Sequence, residues 1–176
     1  YHEMNVRYQN QAMEQMRELA KSDKPFFLQY WPLYPLTGPR TTTDQYTTPN
    51  GGVYVEKMKL VDQWIGELMT EMDTLVIADN TLVVIMGDNG HFTKYSPGSG
   101  YTPMVFRGGK GSTLEGGVRV DAFVRWTGMI QADSVAGDII HVSDLFTTIA
   151  RLGDGMDEIP TDRVIDGIDQ TSLLLN

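Results

Sequence analysis

Apolar positions recur along the chain at two different periods, and the alternation between them sets the expected fold. Near the start, Tyr8, Ala12, Met16, Leu19 and Ala20 follow one another at steps of three and four, the stripe of an amphipathic helix. Lys21-Ser22-Asp23-Lys24-Pro25 ends it, and Phe26 to Trp31 is short, apolar and aromatic, which predicts a buried strand. Pro32, Pro35, Gly38 and Pro39 open a long loop that runs to Gly52. A second helix is predicted from Val61, Trp64, Ile65, Leu68 and Met72, followed by a turn at Asp79-Asn80 and a strand from Thr81 to Met86. A Gly-rich loop then extends from Gly87 to Gly117. Val118 to Trp126 reads as another strand, and Val142, Leu145, Ile149 and Leu152 form the inward face of a third helix with Ser143 as its N-cap.

Helix, strand, helix, strand is the α/β pattern, and the strands are apolar enough to be covered on both faces, which predicts a mostly parallel sheet flanked by helices. In such sheets ligands bind beyond the carboxyl ends of the strands. The Pro-rich loop after Trp31 and the loop after Met86 both leave from such ends and are expected to face one site.

Composition narrows the function. The net charge is -9 with the charges scattered, which excludes a nucleic-acid surface built on clustered Lys and Arg. Without cysteine the 176 residues hold no disulfide, thiolate metal site or cysteine nucleophile. No apolar run reaches the roughly 20 residues that span a bilayer, and Tyr1-His2-Glu3-Met4 carries no signal-peptide pattern. The chain starts without a methionine and stops at Leu175-Asn176, and is expected to be a piece of a longer protein.

Three stretches carry candidate chemistry. Asp88 and Asn89 offer a carboxylate and an amide oxygen on adjacent residues, donors suited to calcium or magnesium. Asp88-Asn89-Gly90 is equally a common turn composition, and two oxygens fall short of the 6–8 ligands that calcium takes, so a metal site here needs further carboxylates. Arg107-Gly108-Gly109-Lys110-Gly111-Ser112-Thr113 fails as a P-loop, since residue 104 is Met and no Ser or Thr follows Lys110 directly. What it keeps is a lysine on a glycine backbone, either a solvated loop residue or a point charge for an oxyanion. His91 is either a proton donor or a surface histidine. His2 lies at a terminus, and His141 sits before a helix N-cap.

Taken in order, these stretches resemble one family. Lys24-Pro25-Phe26-Phe27-Leu28, then Asp79 to Val84 leading into Asp88-Asn89-Gly90, then Arg107 to Val120, then Val142-Ser143-Asp144-Leu145 are similar to the central and C-terminal part of the sulfatase catalytic domain. Those enzymes are formylglycine-dependent sulfate ester hydrolases of the alkaline phosphatase superfamily. Arg125-Trp126-Thr127-Gly128 looks like the family's Arg-Trp-Pro-Gly segment with Thr127 where Pro is usual, and Asp166-Gly167-Ile168-Asp169 with Ser172-Leu173-Leu174 resembles the stretch that closes the domain.

The resemblance implies that Asp88 and Asn89 are two ligands of one calcium ion and that Lys110 binds the sulfate group and the active-site aldehyde hydrate. It also implies an α/β domain whose nucleophile-bearing N-terminal segment and C-terminal subdomain lie outside residues 1–176. The family's Cys/Ser-x-Pro-x-Arg motif is absent from the chain, as are the paired aspartates that complete the calcium site. Leu33 aligns with the family's sulfate-contacting histidine, and leucine can neither donate a hydrogen bond nor carry charge; His91 is the nearest substitute. The expected substrate is a small-molecule or carbohydrate sulfate ester, the expected compartment periplasmic or secreted, and the piece alone is expected to be inactive. The alternatives are a sulfatase-like binding or scaffold protein that has lost the chemistry, and a phosphate or phosphonate ester hydrolase of the same superfamily.

Overall fold

The computed structural model describes residues 2–35, 52–90 and 105–175. Seven elements follow in order: α1 (His2–Leu19), α2 (Gly52–Thr74), β1 (Val83–Met86), α3 (Glu115–Val118), β2 (Ala122–Arg125), α4 (Val142–Leu152) and α5 (Thr171–Leu174). Short 3-10 turns at Ala78–Asn80 and Met156–Glu158 punctuate them.

The α1 stripe is narrower and more polar than its apolar residues alone predict. Ala12 and Met16 are buried, yet so are Asn5 and Gln9, one and two turns earlier, while Tyr8 stands at the edge. Asn5 and Gln9 are tolerated inside because each is hydrogen-bonded. Gln9 Nε2 donates to the Trp64 carbonyl at 3.2 Å and to Glu67 Oε2 at 3.1 Å, and an Arg17–Glu71 fork (2.6 and 3.0 Å) closes the other end of the α1–α2 pair. Trp64 and Met72 are the buried members of the predicted α2 face.

Residues 26–31 form no strand among the described residues and none of them is buried, Phe27 and Trp31 being 61% and 70% exposed, so the buried strand expected there is not observed. Their exit is held firmly. Asn5 Oδ1 accepts from the backbone N–H of Leu33 (2.8 Å) and of Tyr34 (3.1 Å), and the Tyr34 ring stacks on Trp64 at 5.7 Å between centroids. The Tyr34 hydroxyl meets His2 Nδ1 at 3.0 Å, and Lys57 lies over the same ring.

The described sheet is β1 against β2, antiparallel, with Val83 opposite Arg125 and Met86 opposite Ala122. A mostly parallel sheet was the expectation; this pairing is the antiparallel kind that mixed α/β sheets also carry. The expected strand from Val118 to Trp126 is shorter because Glu115–Val118 winds into a helical turn first. Arg125 ties β2 to the end of α2 through Met69 and Asp73, and Trp126 ties it to the 3-10 turn through the Asp79 carbonyl.

At α4 the cap is His141 rather than Ser143: its Nδ1 accepts from Ser143 N–H while Asp144 reaches back to the His141 N–H. The buried face is also different. Asp144, Thr147 and Thr148 are buried, and Val142 is exposed, because the helix packs its polar side on residues 167–170. Asp144 accepts from Ile168 N–H and Gln170 Nε2, Thr147 donates to the Gly167 carbonyl, and Thr148 Oγ1 accepts from Gln170 N–H.

Candidate active site

At the carboxyl end of β1 the chain leaves the sheet through Gly87-Asp88-Asn89-Gly90. Asp88 is exposed and Asn89 half-buried. Asn89 Nδ2 donates to the Gly90 carbonyl at 2.8 Å, and its Oδ1 carries no hydrogen bond among the described residues. Both residues therefore present oxygen, the donor type that hard divalent cations prefer.

Gly90 fixes where these oxygens stand. Its N–H donates to the Gly117 carbonyl at 2.9 Å, and a Cβ on Gly90 would lie 2.0 Å from the Gly116 carbonyl oxygen. Only two backbones without side chains can approach so closely. Gly116 and Gly117 are pressed in turn against the Lys110 loop: a Cβ on Gly116 would lie 2.5 Å from the Gly108 carbonyl oxygen, and one on Gly117 2.2 Å from that of Ser112. Gly116 N–H donates to the Arg107 carbonyl at 2.8 Å and closes the loop's stem.

Lys110 rides on the tip of that loop. Ser112 N–H donates to the Gly109 carbonyl at 2.9 Å, and Gly111 takes a φ of +89°, the pattern of a type II turn with Lys110 at its second position. Ser112 Oγ accepts from Gly109 N–H at 3.2 Å and stiffens the turn from inside. Gly108, at φ +85°, is the second left-handed glycine in the loop.

So the backbone stacks three glycine-bearing segments, 88–90, 107–112 and 115–117, on one another, and with them the candidate metal donors and the candidate anion-binding lysine. Among the described residues no group of three or more His, Asp and Glu side chains is placed to hold a metal. The donor chemistry of Asp88 and Asn89 fits calcium; their number covers only part of its shell.

The other candidates divide. His91 lies outside the described residues, as do residues 36–51 of the Pro-rich loop. Leu33 is half-buried and lines an open groove of about 400 Å³ between α1 and residues 28–33, with Tyr8, Gln15 and Trp31. His2 is engaged with Tyr34. In the His141, Ser143 and Asp144 group the carboxylate takes the backbone N–H of His141 rather than its ring, so the three make a helix cap and no charge relay.

Sequence reasoning missed Asn5, whose polar side chain gave no sign of burial. It also missed Arg119, which pairs with Glu115 at 3.1 Å while its guanidinium lies 4.5 Å above the Phe106 ring centroid. The spacing of 115 and 119 was the available signal for the first contact.

The sequence model of the sulfatase family matches residues 4–156. The chain belongs to the sulfatase family. It is 39% identical to the steryl-sulfatase of Rattus norvegicus over 128 residues, covering 70% of this chain and 22% of that protein. It is 32% identical to the N-acetylgalactosamine-6-sulfatase of Homo sapiens over 169 residues, 96% of this chain and 32% of that one. Among solved structures, PsFucS1 sulfatase from Pseudoalteromonas sp. superposes with a TM-score of 0.76 at 32% identity, covering 96% of this chain and 33% of that chain. Ps i-CgsB, solved in complex with k-i-k-neocarrahexaose, shares the fold with a TM-score of 0.79 at 24% identity, over 96% of this chain and 37% of its own. The chain spans about a third or less of the length of these curated sulfatases. The α/β, alkaline-phosphatase-like fold class expected from the sequence is thereby established.

Proposed function

We propose that the protein to which this chain belongs hydrolyses a sulfate ester, with Asp88 and Asn89 as two ligands of one calcium ion and Lys110 as a contact to the sulfate. The observation that carries this reading is the interlock of Gly90, Gly116 and Gly117, which ties the oxygen-bearing loop to the lysine-bearing loop through backbone alone. A sulfate monoester carries a negative charge, and charge develops on the leaving oxygen as its bond breaks. Calcium, when bound, supplies fixed positive charge for those oxygens. Lys110 adds a second positive charge from a turn whose geometry is set before substrate arrives, and preorganised charge of this kind supplies most of the barrier lowering in many enzymes. Asn89 favours one hard ion over a zinc pair, because an amide oxygen is a poor zinc ligand.

The nucleophile, a formylglycine by family resemblance, and the remaining calcium ligands are supplied by other parts of the protein; residues 1–176 alone are expected to be inactive. The substrate class is a small-molecule or carbohydrate sulfate ester, and family resemblance alone points to a periplasmic or secreted compartment. Among the described residues no helix is long and apolar enough to cross a membrane. Leu33 supports a second reading, a sulfatase-like binding protein without turnover, since it brings no donor to the position where the family's histidine aligns.

Assaying the intact protein on an aryl sulfate separates the two. The enzyme reading expects turnover that a calcium chelator abolishes and added calcium restores. Lys110→Ala should lower kcat/KM by about 10²- to 10³-fold, the cost of removing one preorganised donor. Asp88→Ala should weaken calcium binding by titration calorimetry; an unchanged isotherm would return Asp88 to the status of a turn residue. Binding of the sulfate ester with no turnover would favour the second reading.

A further inference from the structure

The loop that carries Lys110 contains Gly108, Gly109 and Gly111, so its stiffness comes from the contacts that hold it, the Ser112 bonds within the turn and the rung at its stem. Beyond the backbone rung from Gly116 to Arg107, one side chain joins its two ends. Arg119 leaves the end of α3 and lays its guanidinium over the Phe106 ring, 4.5 Å from the centroid, while its Nη1 pairs with Glu115 Oε2 at 3.1 Å. Phe106 immediately precedes the loop and Arg119 follows α3, so this contact closes the loop outside the backbone rung from Gly116 to Arg107.

From this we infer that Arg119 is a positioning residue for Lys110, acting through a latch made of Phe106, Arg119 and Glu115. The inference rests on the reading of Lys110 as a sulfate contact. More than half of each side chain in the ion pair is exposed, so the pair adds little stability by itself. Its place one turn away holds the guanidinium over the ring, 4.5 Å from the centroid. Arginine suits this because a planar, delocalised cation can stack on an aromatic face and pair with a carboxylate at its edge together; an ammonium is a single point. Releasing the latch frees the Phe106 end of the loop and widens the positions that Lys110 samples.

The test uses the intact protein with an aryl sulfate as substrate. Arg119→Ala and Phe106→Leu should each lower kcat/KM by roughly two- to fivefold, the worth of one exposed cation–aromatic contact, with the change mainly in KM. Phe106→Tyr, which keeps the ring face, should retain the wild-type value. The decisive comparison is made in a Lys110→Ala background, where Arg119→Ala should have no further effect, because a residue acting only through Lys110 has nothing left to position. The same fold-loss in both backgrounds would overturn the inference, as would unchanged kinetics in both Arg119→Ala and Phe106→Leu. If Arg119→Ala fails to fold, Phe106→Leu alone and with Lys110→Ala carries the comparison. Absence of turnover in the wild-type protein would overturn the functional reading and this inference with it, whereas turnover with additive losses would overturn the inference alone.

Discussion

Replacing Gly90 by alanine adds one methyl group at the point where two loops touch. That methyl carbon would begin 2.0 Å from the Gly116 carbonyl oxygen, 2.7 Å from its carbonyl carbon and 3.0 Å from Gly117 Cα. All three are backbone atoms, so no side chain can swing aside. The 115–117 segment would have to retreat by well over an ångström to reach ordinary contact, and the 2.9 Å bond from Gly90 N–H to the Gly117 carbonyl would break. Overpacking of this kind costs about 1–3 kcal/mol and the lost hydrogen bond about 1 kcal/mol, which together come to about 2–4 kcal/mol. Gly66 is the internal control. It lies on the exposed side of α2 with nothing within 4 Å of its Cβ position, and alanine there should stabilise by about 0.5–1 kcal/mol. Urea-unfolding midpoints of the intact protein and both variants measure the contrast. The order Gly66→Ala, wild type, Gly90→Ala from highest to lowest is expected. A Gly90→Ala midpoint equal to wild type would refute the interlock as a rigid feature of the fold.

Asn5→Ala leaves the N–H groups of Leu33 and Tyr34 without their acceptor and should destabilise by about 2–4 kcal/mol, while Asn5→Asp, which keeps the acceptor, should lose less; urea melts compare the two. Asp144 gives a pH prediction. The backbone N–H of Ile168, with those of His141 and the Gln170 amide, favours its charged form and holds its carboxyl below the usual range. A carboxyl depressed on folding contributes stability that is present above the unfolded value of about 3.9 and is lost as pH falls through the lower folded value. Stability of the wild type should therefore fall from about pH 4 downward more steeply than that of Asp144→Asn, followed by urea midpoints across that range; parallel acid limbs would remove Asp144 from the account.

The helices were legible because a 3.6-residue period is local: Ala12, Met16, Trp64 and Met72 announced the faces they bury. What periodicity could not show was polar burial. Asn5, Gln9, Asp144 and Thr148 are inside because of partners 22 to 55 positions away, and nothing near them in sequence names Leu33, the Trp64 carbonyl or Ile168. The β1–β2 register is non-local in the same sense, and residues 26–31 show that an apolar, aromatic run does not by itself specify a strand or its burial, because both need a neighbour that local sequence does not name. At the site, Asp88, Asn89 and Lys110 were visible as residue types. Their association was carried by Gly90, Gly116 and Gly117, each ordinary in isolation, because contact between glycine backbones leaves no side-chain pattern to read.

The stack of Tyr34 on Trp64 also makes the chain an optical instrument. The rings are nearly parallel, 5° apart, and Trp64 is buried, whereas Trp31 is 70% exposed and Trp126 donates its indole N–H to the Asp79 carbonyl. The three tryptophans thus sit in different surroundings. The most shielded of them touches the residue that Asn5 holds where the chain leaves its aromatic run. Near-ultraviolet dichroism from that fixed pair reports the seating of residues 33–35 on α2, and red-edge emission from Trp31 reports the groove beside α1, so a single unlabelled sample can follow the two regions by separate signals.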